Sequence, residues 1–378
     1  MHRTAVNVIF LINGFIYANW VSRLPRFQEQ YEMDNGALGL ILLLASIGAL
    51  LSMPFAGWII VKNGSRRVTL ISSLLFCLIV PVFPLMPTAG SLGLAFFLMG
   101  IVTGIMDVAM NAQAVLVEQQ WKKPILSSFH AIFSAGMMLG AGSGALFTHF
   151  ELGLLWHLPA IGFASLFLAL TVVRHLIPDP RSQDTSESEG PLFRLPSRAL
   201  LGIGLIAFCC MLGEGAMSDW STNFMENIAM ADKSIAPLAL AGFSTAMMCG
   251  RFLGDRARTA WGDARLLLFG GLLATLGIAV VLLFVHPWVS IGGFFIIGLG
   301  LATIVPIAYS IAGNSPGLAP GVGISMVTTI GYSGFLFGPP LIGFIADWQN
   351  LHLALFLVLA LFLLMCLLSF VQYQKAMA

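Results

Sequence analysis

Long apolar runs separated by short polar breaks recur along almost the whole chain. Runs of about 18–25 mostly apolar residues occur twelve times, near 5–24, 37–61, 68–87, 90–118, 125–149, 154–177, 198–225, 235–256, 265–285, 288–312, 320–345 and 350–372. An α-helix needs about 20 such residues to cross a ~30 Å hydrocarbon layer, so each run predicts a transmembrane helix. One long polar stretch interrupts them, IPDPRSQDTSESEGPLFRLPSR, rich in Pro, Ser and charge, and it reads as a linker. The pattern predicts an all-α membrane protein: twelve transmembrane helices in two pseudo-symmetric six-helix bundles, 1–177 and 198–378, joined by a cytoplasmic linker over 178–197. The opening MHRTAVNVIFLINGF has the form of a signal peptide, but no small-residue cleavage site follows, and it reads as a retained first span.

Composition agrees. Of 378 residues, 58% are hydrophobic and 9% charged, against roughly 25% charged in a soluble domain. A net charge of +1 gives no bulk attraction for nucleic acid. Cys77, Cys209, Cys210, Cys249 and Cys366 all lie in apolar runs without a CxxC, so neither a disulfide framework nor a metal site is expected. Placement of Lys and Arg sets orientation. With the amino terminus inside, 15 fall on the cytoplasmic side and only Arg23, Arg26 and Lys233 outside. A multi-pass protein of a cell inner (plasma) membrane with both termini cytoplasmic is expected.

The chemistry concentrates in GIVTGIMDVAMNAQAVLVE, residues 100–118. Asn111 and Glu118 follow Asp107 at offsets of four and eleven, which at 100° per residue keeps all three on one stripe. Asp107 lies about 16 Å along the axis from Glu118, near mid-membrane. A carboxylate there costs roughly 2.5–3.5 kcal/mol even on insertion scales, so a wet, protein-lined cavity is its cheapest setting. Asp107 is therefore the leading proton-coupling candidate, and Asn111 either contacts solute or orients it. Glu118 pairs with Lys122 or a loop donor, or joins His130 in a candidate relay across the short loop; His130 alone reads as a core histidine.

In LGEGAMSDWSTNF, Glu214 is a second proton-coupling candidate or half of an interhelical pair, with Gly213 and Gly215 allowing local unwinding. Asp219 falls on another face of that helix, nearer the outer surface. Trp220 stacks on solute or sits in the outer aromatic belt. Asn13 and Tyr17 of the first span are candidate cavity residues, and Arg23 is expected to snorkel to the surface. The glycine clusters at 140–146, 296–302 and 331–343 read as helix-packing surfaces. Pro339 and Pro340 are expected to bend the eleventh helix. No nucleotide-binding loop, metal cluster or catalytic constellation is legible, so no cofactor and no enzymatic activity are expected.

The two halves carry related turns. GWIIVKNGSRRV follows the second run and GRFLGDRARTAWGDAR the eighth, each a glycine-bearing helix end with a basic loop. The first resembles the signature loop of the major facilitator superfamily, G-x-x-x-D-R/K-x-G-R-R/K, through Gly57, Lys62, Gly64, Arg66 and Arg67, with Val61 at the acid's position. Arg251, Asp255 and Arg256 resemble its second-half counterpart. The resemblance implies that these residues form conformational-gate loops. Within the superfamily, GIMDVAMNAQAV and SRLPRFQEQY resemble the fucose permease-like branch, which implies that Asp107 and Asn111 face a sugar cavity; that branch's acid in helix one has no counterpart near Val21.

Together these readings point to a secondary active transporter. The first expectation is proton-coupled symport of a small polar or sugar-like solute by alternating access. Asp107 and Glu214 would couple protons, and Asn13, Tyr17, Asn111 and Trp220 would line the site. A monomer in the bilayer, with solute and protons as its partners, is expected. A proton-driven exporter of drugs or metabolites is the alternative within transport, and a non-transporting membrane sensor the alternative outside it.

Overall fold

A computed structural model describes residues 1–122, 125–178, 198–313, 315 and 320–377; all but the first residue of the predicted linker lies outside them. The described helices are α1 (His2–Val21), α2 (Leu24–Tyr31), α3 (Asn35–Asn63), α4 (Ser65–Ile79), α5 (Ala89–Trp121), α6 (Leu126–His149), α7 (Leu154–Val172), α8 (Arg198–Asn227), α9 (Leu238–Trp261), α10 (Asp263–Leu283), α11 (Pro287–Leu301), α12 (Ile304–Gly313), α13 (Pro320–Trp348) and α14 (Leu351–Met377). Every predicted span falls largely on helical backbone. Among the described residues, 11 helical segments are long and apolar enough to cross a membrane, and α9 adds the shorter apolar stretch Leu238–Gly254. Lipid explains the pattern, because a spanning backbone must satisfy its own hydrogen bonds.

Three details differ from expectation. The chain after α1 folds into the short helix α2, which buries Leu24, Pro25 and Phe27. The tenth run breaks at Ala302 and Thr303 into α11 and α12. By contrast α8 passes through Gly213 and Gly215 without unwinding: a Cβ at these positions would meet the rings of Phe362 and Phe335, so both glycines serve close packing. α13 carries Pro339 and Pro340 inside one helix.

Helices α1 to α7 pack chiefly on one another, as do α8 to α14, with α6 against α9 and α3 against α13 bridging the two sets. Small residues allow the closest approaches. A Cβ on Gly14 of α1 would strike the Phe133 carbonyl of α6, and one on Gly136 would strike the Leu11 carbonyl in return.

Six tryptophans mark two levels. Trp58, Trp121 and Trp261 are exposed near the ends of α3, α5 and α9, on the side where α1 begins. Trp156, Trp288 and Trp348 are exposed near the start of α7, the start of α11 and the end of α13, on the opposite side. Indole rings favour the headgroup level at each face of a bilayer. Trp220 belongs to neither belt, being fully buried.

The opposite side is also where the two helix sets are tied. Arg26 pairs with Glu226, Lys233 with Glu29 at 2.9 Å, and Asn223 donates to Gln28. The carboxylate of Asp347, at the end of α13, accepts from the backbone N–H groups of Asn35 (2.9 Å) and Gly36 (2.5 Å) at the start of α3. Arg23 does not snorkel. It is 3% exposed, donating to Thr148 Oγ1 at 2.9 Å and the Leu152 carbonyl at 2.8 Å. Burial, with Arg26 nearby, lowers its pKa to about 10, which leaves it charged at neutral pH.

Candidate functional site

On α5 the i,i+4 pair of the stripe is made within the helix. Asn111 Nδ2 donates to the Asp107 carbonyl at 2.8 Å and to Asp107 Oδ1 at 3.2 Å, a pairing that the i,i+4 spacing makes natural. Both side chains are partly exposed. Asp107 lies close enough to Tyr309 of α12 and Tyr332 of α13 to act on them electrostatically, and so does Glu214 of α8. Two carboxyl groups, one from each helix set, therefore act on the same pair of partly exposed tyrosines.

Arg251 completes this arrangement. From α9 its Nη2 reaches Glu214 Oε1 at 3.1 Å, and its Nη1 donates to Ser134 Oγ of α6 at 2.8 Å. One guanidinium thus closes an ion pair within its own helix set and a hydrogen bond across to the other. Beside it Tyr17 of α1 donates to Asp219 Oδ1 of α8 at 3.2 Å, a second polar link across the interface.

Other predicted residues stand elsewhere. Asn13 is buried and donates to Met110 Sδ at 3.5 Å, touching the helix that carries Asp107. Trp220 does not line an open cavity: it is fully buried, and its indole N–H has no hydrogen-bond partner among the described residues. The Glu118–His130 relay is not built. Glu118 Oε2 instead accepts from the backbone N–H groups of Ile125 (2.7 Å) and Leu126 (2.8 Å), capping the start of α6. His130 packs edge-on against Phe10 and feels the charge of Arg251. Glu118→Ala should therefore lower stability by about 1–3 kcal/mol, whereas Glu118→Gln, which keeps an acceptor, stays close to the parent in thermal melts of the purified protein.

The expected gate loops are mostly helix. Gly57 lies inside α3, and Arg251, Asp255 and Arg256 lie inside α9, because each helix runs on until a glycine stops it. Those stops are Gly64 (φ 81°) and Gly262 (φ 79°), both with the positive φ that glycine tolerates best. Arg66 donates to the Arg174 carbonyl at 3.2 Å, within its own helix set, and Arg67 is exposed. The side chain of Asp255 lies outside the described residues. Arg251 also leaves the count of loop charges, since it is engaged with Glu214 and Ser134 at the interface between the helix sets.

Residues 6–334 match the family model of the Major Facilitator Superfamily. The chain belongs to that superfamily. Its relatives agree: an uncharacterised MFS-type transporter of Yersinia pestis is 34% identical over 352 residues, covering 93% of this chain and 91% of the relative. Membrane protein MosC of Rhizobium meliloti is 32% identical over 363 residues, 94% of this chain and 86% of its own. Among solved structures, a mutant of the nucleoside transporter NupG has a TM-score of 0.79 at 11% identity, covering 99% of this chain and 100% of that one. A bacterial homologue of the human lysosomal transporter Spinster, inward-facing and occupied, has a TM-score of 0.74 at 15% identity, covering 97% and 95%. Those two likenesses establish the fold. None of these four is named as a fucose permease, so the branch resemblance stands on its two sequence stretches alone.

Three site residues of this superfamily member escape a reading of sequence. Tyr309 and Tyr332 sit in runs so apolar that nothing marks them as facing a partner. The angle between Asp219 and Glu214 sets Asp219 apart, yet its real partner is Tyr17, on another helix. A buried acid within an apolar run is the available signal.

Proposed function

We propose that this superfamily member is a monomeric, proton-coupled symporter of a small polar or sugar-like solute, working by alternating access between two pseudo-symmetric six-helix bundles, residues 1–177 and 198–378. The reading is carried by one observation: Arg251 of the second helix set holds Glu214 of its own set at 3.1 Å and Ser134 of the first at 2.8 Å, while Asp107 of the first set stays without an ionic partner among the described residues. Asp107 takes and releases the proton. Its only described polar partner is Asn111 of its own helix, so no ion pair fixes its charge. Asn111, Tyr17, Tyr309 and Tyr332 offer donors and acceptors suited to hydroxyl groups. Asn13 supports that wall from behind through Met110. Glu214 acts through Arg251: protonating it frees a guanidinium that also holds Ser134 of the other bundle. The basic, amino-terminal side faces the cytoplasm of a bacterial-type inner membrane.

The pairing of Glu214 with Arg251 speaks against a cavity built for multivalent cations, and so favours the symporter over a cationic-drug exporter. The test is a screen of hydroxyl-rich solutes in proteoliposomes carrying an internal pH dye. Solute addition should drive proton entry in the parent. Asp107→Asn should lose that signal, by at least about tenfold, while keeping the parent's melting temperature. Undiminished coupled uptake in the variant would reject the assignment.

A further inference from the structure

Away from the central interface, the two helix sets repeat one feature. Asn63-Gly64-Ser65-Arg66-Arg67 stands where Trp261-Gly262-Asp263-Ala264-Arg265 stands in the second set. In each, a positive-φ glycine ends one helix and starts the next, and an arginine follows three residues later. Each turn opens on a cavity. The first, of about 370 Å³, lies between α3 and α4 over α5 and is lined by Ile59, Asn63, Arg67, Ile71, Leu75 and Val102 among others. The second, of about 500 Å³, lies where the α9–α10 turn meets the ends of α12 and α14, lined by Trp261, Asp263, Arg265, Ile311, Gln372 and Tyr373 among others.

Three observations bear on what fills them. Both mouths lie at the level set by exposed Trp58, Trp121 and Trp261, where headgroups meet hydrocarbon. Below Arg67 the first groove continues along exposed Ile71 and Leu75, a wall suited to an acyl chain and useless to a free ion. The arginines are also available. Arg67 and Arg265 are exposed, with no polar partner among the described residues, whereas neighbouring Asp263 is already gripped by Arg258 at 2.8 and 2.9 Å.

The geometry points to two equivalent seats for anionic phospholipid, one per helix set, with the phosphodiester against Arg67 or Arg265 and an acyl chain along the apolar wall. Asn63 in one seat, and Gln372 with Tyr373 in the other, supply neutral donors to the headgroup. The seats lie on the two glycine turns, and they are independent of which solute is carried.

Native mass spectrometry of the full-length protein, delipidated and then given phosphatidylglycerol or phosphatidylcholine of matched acyl chains, tests this. Two phosphatidylglycerol molecules should be retained where phosphatidylcholine is not. Arg67→Gln and Arg265→Gln should each weaken one of the two by about fivefold. The double variant should lose the headgroup preference, and Arg67→Lys with Arg265→Lys should keep most of it. Melting temperatures in lipid-free detergent should match the parent, which separates lost lipid from lost fold. Equal retention of the two lipids, unaltered phosphatidylglycerol binding in the double variant, or full competition by soluble glycerol phosphate would overturn the proposal.

Discussion

Replacing Arg251 with methionine is expected to stop transport and to destabilise the protein by about 3–5 kcal/mol. The guanidinium and the Glu214 carboxylate are only 15% and 17% exposed. Removing the cation strands a desolvated anion, and it also deprives Ser134 of its donor across the interface. The cost comes from the group left behind more than from the bond lost, so a second change tests the mechanism. Glu214→Gln combined with Arg251→Met removes both charges and should recover most of the melting temperature. It should not recover flux, because the link between helix sets is gone. Thermal melts and proteoliposome uptake on the two single variants and the double variant separate these effects. An Arg251→Met protein that melts with the parent would show that the pair carries no stabilisation.

Gly14→Val should prevent folded protein from accumulating, and Gly136→Val should do the same. At each site the added Cβ would meet a backbone carbonyl of the facing helix, Phe133 for Gly14 and Leu11 for Gly136. A side chain could turn aside, but a carbonyl locked in a helical hydrogen bond cannot, so α1 and α6 must separate. Overpacking typically costs about 1–3 kcal/mol per site, and a backbone carbonyl that cannot yield puts these two at the upper end. Gly57→Ala and Gly142→Ala are the matched controls, since nothing lies within 4 Å of a Cβ at either position. Fluorescence-detected size exclusion should show loss of the monodisperse peak for the valine variants and none for the controls.

The spans are legible in the sequence because lipid leaves the backbone so little choice. Their partners are less so. The Asp107–Asn111 pair can be read directly, since an i,i+4 contact is a property of one helix. Arg251 misleads for an intelligible reason: Gly-Arg at the end of an apolar run looks like a helix leaving the membrane. Only the packed structure shows Glu214 and Ser134 waiting for it within the interface. Trp220 misleads in the reverse way, as an amphipathic residue near a helix end that is in fact wholly enclosed. Glu118 finds the loop donor that is one of its two structural readings, whereas Tyr17 finds a partner that no spacing rule supplies, an acid 202 positions away.

Asp347 grips main-chain donors rather than a side chain. An alanine scan through the start of α3 would therefore pass over this contact at Asn35, whose backbone N–H survives every replacement except proline. Gly36 is the exception, because a methyl group there would occupy the space of the Asp347 oxygen itself. At position 35 only the Gln28 contact of the side chain is at stake, whereas any side chain at 36 displaces the carboxylate of 347.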